Sequence, residues 1–433
     1  MRDIRDALTS AIDRTVDELK SKPAAIQAVY AAKAVAHSPE PGVEKILANA
    51  KAAIAKMKPE DIHDGIVHVS DPNVALVLSV LESDQGTKDL PSMVSSDGAI
   101  IGVHKYDQTD PRWILSALNM LVSEKVAFKQ PDLTNPHDQE VQLPDRDFTI
   151  ATAGDWGTGL LSSNQIAKWM WAGRPDITLH IGDVYYSGTP EEVKSKFIGR
   201  WPTGSIGSFA LNSNHEMYCG GHGYFDVTLQ DPEFALQNGK SFFSLYNKAW
   251  QIIGLDTAYE SHEADLYQHG VLGQPQLDWF TAQLAKAKAA GRKAVLFTHH
   301  NPISVNGPGA NNKDIDQNMM NQIFGAADKA GNMFDYWFFG HEHAVAVYEP
   351  MQWQHRMVKP RVIGHGGIPY VPSTIGDKGA GIKVRWTETT HYAPDKGDPT
   401  TALNGFGTLT FPIAGGNIVE KYYDDSNNLR YTV

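Results

Sequence analysis

Apolar positions recur along this chain at two different periods, and the change of period divides it. Ile4, Leu8, Ile12, Val16 and Leu19 fall on one face of a helix over residues 3–20, the spacing of an amphipathic segment. Stretches 23–37 and 43–58 are rich in Ala and Lys and repeat the pattern, with Pro23 and the Pro41-Gly42 pair as breaks between them. Residues 61–104 mix periods and yield no assignment. A further helix is predicted over 112–128, where Trp113, Leu115, Leu118 and Leu121 are in register. The tract 129–146, KQPDLTNPHDQEVQLPDR, carries three prolines among polar residues, a composition that predicts a linker. The expected organisation is therefore a mostly helical region over 1–145, ending in that Pro-rich linker, and a second domain over 146–433.

In the second domain short apolar runs alternate with helical stretches. The runs are FTIATA (148–153), ITLHI (177–181), SFAL (208–211), QIIGL (251–255), KAVLFT (293–298) and DYWFF (335–339). The clearest helix between them lies at 275–290, with Pro275 in its first turn and Leu277, Phe280 and Leu284 as its stripe. From about 380 onward GIKVRW, GTLTF and NIVEKYY read as strands around Gly415-Gly416 and the DDSNN turn. Strands alternating with helices imply an α/β architecture with layered helices.

Composition narrows the chemistry. With 433 residues and about 150 per domain, the chain has room for two or three domains. Lys and Arg total 38 against 50 Asp and Glu, a net charge of −12. An acidic chain without basic clusters is a poor general nucleic-acid binder, so no nucleic-acid partner is expected. No apolar run approaches membrane-spanning length, and the charged N-terminus lacks a secretory h-region. A cytoplasmic protein with no membrane partner is expected. Cys219 is the single cysteine, which excludes intrachain disulfides and thiolate clusters. A metal here must be held by nitrogen and oxygen.

The residues just beyond each run are more informative than the runs themselves. FTIATA leads to Gly154-Asp155-Trp156-Gly157, and ITLHI to Gly182-Asp183-Val184-Tyr185-Tyr186. SFAL leads to Asn212-Ser213-Asn214-His215-Glu216, KAVLFT to His299-His300-Asn301-Pro302, and DYWFF to Gly340-His341-Glu342-His343. Five strands each deliver a metal-capable side chain at their C-terminal ends, the edge where ligands bind in α/β sheets. Carboxylate and amide oxygens with imidazole nitrogens suit Fe, Mn or Zn.

The series GDxG, GDxxY, NHE, HxP and GHxH resembles the calcineurin-like metallophosphoesterases, and within them the purple acid phosphatases. The resemblance covers about 147–345, is looser near 361–372 and 402–424, and leaves the early helical region outside. Gly157, where other branches place a histidine, and Tyr186, three residues after the second aspartate, select the purple acid phosphatase branch. The resemblance implies a β-sandwich flanked by helices. It also implies two adjacent metal sites: Asp155, Asp183, Tyr186 and His343 at one, and Asp183, Asn214, His300 and His341 at the other, with Asp183 shared. Fe(III) is expected beside Tyr186, with divalent Fe, Zn or Mn at the second site. The His300-Asn301-Pro302 spacing favours His300 as the ligand, and His299 is its alternative.

The implied activity is hydrolysis of a small phosphate monoester by metal-activated hydroxide in an in-line displacement. His215 would assist the leaving group, with Glu216 orienting it. Asp256, closing QIIGL, is expected in a supporting role. His180 reads as a packed strand histidine, and His222, His262, His269 and His365 as candidates for the rim. Ser213 stands where the family usually has glycine. The tract ISVNGPGANNKD replaces the extra histidines of plant-type members, which leaves open a phosphodiesterase or nucleotide phosphatase on the same scaffold. A further alternative is a binding protein that docks through its N-terminal helices.

Overall fold

The computed structural model describes residues 123–433 except 136, 264–265, 305–315, 354–355, 371, 373–382 and 394–398. It also describes the strands β1 (Ile62–His63) and β2 (Ile66–Val67), which pair antiparallel. The chain divides into two compact units, Met1–Glu124 with Tyr218–Gly220, and Lys125–Met217 with Gly221–Val433. The helices expected over 3–20, 23–37 and 43–58, and most of that over 112–128, lie outside the described residues. The described part of the last, 123–128, is not helical.

Two sheets form the larger unit. In one, β4 (Phe148–Ala153), β5 (Ile177–His180) and β6 (Gly207–Ala210) run parallel. Antiparallel strands β15 (Gly405–Phe411), β16 (Val419–Asp424) and β17 (Leu429–Thr432) extend that sheet beyond β4. The other sheet is built on four parallel strands: β8 (Trp250–Gly254), β9 (Lys293–Thr298), β10 (Phe334–Phe339) and β13 (Arg356–Ile363). Around these lie β7 (Phe243–Tyr246), β11 (Val345–Tyr348), β12 (Met351–Trp353), β14 (Val384–Thr387) and, at one edge, β3 (Glu140–Gln142).

The tract expected as a linker thus contains an edge strand. β3 pairs parallel with β7, and Lys240 and Lys286 pair with Asp138 and Glu140. Proline lacks an amide donor and is confined to sheet edges. The residues between the prolines remain free to pair, which composition alone does not reveal.

Side-chain alternation explains the layering. Val295, Phe297, Tyr336 and Phe338 face the other sheet, where Ile150, Leu179 and Phe209 meet them. Their sequence neighbours Leu296, Trp337 and Phe339 face outward and are covered by α4 (Gln274–Ala289) and α5 (Gln317–Ala330). On the outer face of the first sheet, α1 (Leu161–Ala172) and α2 (Pro190–Lys196) cover Ala151, Ala153 and Ala210. Each large apolar strand residue fully buried this way contributes about 1.5–3 kcal/mol. The result is the expected α/β sandwich flanked by helices. A buried ion pair also crosses it: Arg361 of β13 bonds Glu420 of β16 through Nε at 2.6 Å and Nη2 at 3.0 Å, and Tyr422 donates to the same carboxylate at 2.7 Å. Among the described residues no helix is long and apolar enough to cross a membrane.

Candidate metal centre

The parallel strands of both sheets end on one edge, and the residues at those ends converge. Asp155 follows β4, Asp183 follows β5, Asn214 opens the short helix α3 (Asn214–Met217) after β6, His299 follows β9, and His341 follows β10. Asp155, Asp183 and His341 all adopt left-handed backbone, with φ of 57°, 76° and 66°. For residues other than glycine this costs about 1–3 kcal/mol and concentrates at functional sites. Gly182, at φ 100°, also makes room: a Cβ there would lie 2.5 Å from Nδ1 of His299.

Oxygen and nitrogen atoms of Asp155, Asp183 and His343 lie within 4.8 Å of one another. The Tyr185 hydroxyl points into this group, 2.8 Å from Oδ2 of Asp183, 3.2 Å from Oδ1 of Asp155 and 3.2 Å from Nε2 of His343. Oδ1 of Asn214 lies 2.9 Å from Nε2 of His299 and 3.1 Å from Nδ1 of His341. Nε2 of His299 is 3.4 Å from Oδ1 of Asp183, and Nε2 of His215 is 3.8 Å from Oδ2. Most of the cluster is buried; the His343 side chain, 34% exposed, marks the open edge.

At two of the expected ligands, Tyr186 and His300, the neighbouring residue also reaches the cluster. Tyr185 presents its hydroxyl to the carboxylates, whereas Tyr186 meets the site through its carbonyl, which accepts from Nδ1 of His215 at 2.6 Å. The Tyr186 amide is held by Glu192, whose carboxylate also accepts from Ser187 at 2.9 Å within the capping box of α2. That anchoring turns the first tyrosine of the pair inward. His300 places Nδ1 2.8 Å from the Thr257 hydroxyl and Nε2 2.8 Å from the Tyr267 carbonyl, so both its nitrogens are engaged outside the cluster. His299 instead uses Nδ1 on the Ile181 carbonyl, at 2.7 Å, and keeps Nε2 for the cluster.

The remaining candidates divide clearly. The Tyr186 carbonyl meets Nδ1 of His215. The Glu216 carboxylate accepts from the Asp183 and Val184 amides at 3.3 and 3.1 Å, and burial, then the Asp183 charge, lifts its pKa to about 8. Asp256 accepts from Asn212 at 3.1 Å and from the Ala258 and Tyr259 amides at 2.9 Å. His180 is packed among Trp156, Phe197 and Trp201. His365 is buried in the turn after β13, His222 is half-buried, and His262 and His269 are exposed. His222 pairs with Asp226 at 2.8 Å.

Electrostatics argue for a cation. Burial and the neighbouring Asp183 push the Asp155 carboxyl well above its ordinary range. Burial opposes ionisation of Asp183 too, but His215, His299 and hydrogen bonds from Asp155 and Ser213 hold it well below. The two buried carboxyls are shifted in opposite directions, and among the described residues no Lys or Arg pairs with either. Burial also lowers His299 and His341 and takes His343 to about 4, which favours the neutral form of each ring. Because Nδ1 of His299 donates to Ile181, its Nε2 lone pair faces the Asn214 oxygen. Two electron-pair donors opposed in this way suit a cation between them. A ring N–H donated to a backbone carbonyl is the usual support of a metal-binding histidine.

The two-sheet α/β sandwich thus gathers acidic, amide and imidazole donors at its strand ends. Residues 148–345, a little under half of the chain, match the family described as calcineurin-like phosphoesterase. No curated protein matches the chain in sequence. Among solved structures, the chain is similar to GAP50, the anchor in the inner membrane complex of Plasmodium, with 13% identity, TM-score 0.45, and 66% of this chain and 88% of that one covered. It is also similar to the purple acid phosphatase PPD1 from yellow lupin, with 15% identity, TM-score 0.47, and 67% and 54% covered. The chain thus spans about half of the lupin protein. A dimetal phosphatase from Danio rerio has 13% identity and TM-score 0.40, with 64% and 96% covered.

Proposed function

We propose that this protein hydrolyses small phosphate monoesters at a two-metal centre of the purple acid phosphatase kind. The observation that carries the reading is the meeting of the Tyr185 hydroxyl with Asp155, Asp183 and His343 beside a second group of Asn214, His299 and His341. Asp155, Asp183, Tyr185 and His343 would hold one ion, and Asp183, Asn214, His299 and His341 the other. A phenol oxygen is a hard donor and suits Fe(III); the nitrogen-rich group suits divalent Fe, Zn or Mn. When bound, such ions supply Lewis-acid charge to phosphoryl oxygens and lower the pKa of water at the site.

The chain's own residues do the rest. Asp183, shared between the groups, sets their spacing. Tyr186, through its carbonyl, fixes Nδ1–H of His215, whose Nε2 lies 3.8 Å from Oδ2 of Asp183. That Nε2 is the atom proposed to meet the leaving-group oxygen.

Elemental analysis of the full chain purified without chelator, with rates on p-nitrophenyl phosphate and its bis ester, tests the reading. Two metal equivalents and faster monoester hydrolysis support it. A faster bis ester reassigns the site to diesters, and a metal-loaded protein inert on both esters overturns it.

A further inference from the structure

Ser213 is wholly buried and stands where the sequence resemblance leads one to expect glycine. Its hydroxyl contacts Oδ1 of Asp183 and Oε2 of Glu216 and accepts the His215 amide at 3.1 Å. A hydroxyl has one hydrogen to give, and the two carboxylates differ in what else supplies them. Glu216 already receives the Asp183 and Val184 amides. Among the described residues, the other polar atom near Oδ1 of Asp183 is Nε2 of His299, at 3.4 Å, beyond the usual hydrogen-bond distance. The Ser213 hydrogen therefore belongs on Asp183. The neighbouring turn is shaped around this side chain: a Cβ on Gly182 would lie 2.8 Å from Cβ of Ser213.

We propose that Ser213 is a positioning residue for the metal centre, its hydroxyl binding Oδ1 of Asp183 so that the shared carboxylate cannot rotate and Oδ2 faces the Tyr185 side. The proposal rests on the two-metal reading. Glycine at this position supplies no donor, so the serine is a device of this chain rather than part of the motif. Outer partners of ligating carboxylates typically change metal affinity about 10–100-fold when removed.

The test is calorimetric titration of Zn2+ or Mn2+ into the metal-free full chain, for wild type, Ser213→Ala and Ser213→Gly, with thermal unfolding of each metal-free form as the folding control. The expected result is metal binding weakened about 10–100-fold in both variants, while the unfolding temperature of at least one stays near wild type. A hydroxyl that serves only to cap α3 would lower the unfolding temperature and leave metal affinity within about twofold of wild type, well short of the usual loss; that result overturns the proposal. Wild-type protein that takes up neither ion overturns the two-metal reading, and this proposal with it.

Discussion

Nε2 of His299 lies 2.9 Å from Oδ1 of Asn214, although 85 residues separate them and His300 fits the motif spacing better. The distinction is made by hydrogen bonding. Replacing His299 with Ala should remove about one of two metal equivalents by elemental analysis. Replacing His300 with Ala should leave both in place and cost about 1–3 kcal/mol in denaturant unfolding, because the Thr257 hydroxyl and Tyr267 carbonyl would lose their buried partner. The opposite pattern of metal loss would restore the motif reading.

The paired tyrosines allow a spectroscopic test. With iron bound, phenol coordination gives a visible charge-transfer band. Tyr185→Phe should abolish that band in the iron-loaded protein, and Tyr186→Phe should retain it. Tyr186 acts through its main-chain carbonyl, which the substitution leaves intact.

His215→Ala should lower kcat on p-nitrophenyl phosphate about 10²–10⁴-fold, the usual range for losing a general acid, with metal content unchanged. Metal loss in this variant would make His215 a ligand.

Stability should fall with acid in the metal-free protein. Burial takes His180, His300 and His365 to about 3, whereas a histidine in the unfolded chain titrates near about 6.5. Between those values the unfolded chain binds more protons, so stability is full above about pH 6.5 and declines as pH falls toward about 3. Each ring contributes a slope of about 1.4 kcal/mol per pH unit. His180→Leu, whatever it costs at neutral pH, should reduce the pH slope of denaturant-derived stability by about one proton between roughly pH 6 and 4. An unchanged slope would mean that the ring titrates normally when buried.

Breaking the ion pair that joins the sheets should be expensive. Arg361→Met leaves Glu420, fully buried, with only the Tyr422 hydroxyl, and a loss of about 3–5 kcal/mol is expected. Arg361→Met combined with Glu420→Leu should recover much of that loss in urea unfolding. Additive losses would show that the charges do not act as a pair.

The hydrophobic pattern by itself determined much of this protein. FTIATA coincides with β4 and KAVLFT with β9, because a strand buried on both faces leaves a continuous apolar run that sequence displays directly. The Asp and His residues after those runs were legible for the same reason: the strand ends fix where the chain turns, and glycine marks the turn. Tertiary structure alone decided which member of Tyr185-Tyr186 and of His299-His300 faces the cluster, and where the Ser213 hydroxyl points. Adjacent residues at a turn differ little in local propensity. Their side chains are sorted by partners distant in the chain or across the turn: Glu192 on the Tyr186 amide, Ile181 and Tyr267 on the two rings, and Asp183 beneath the serine.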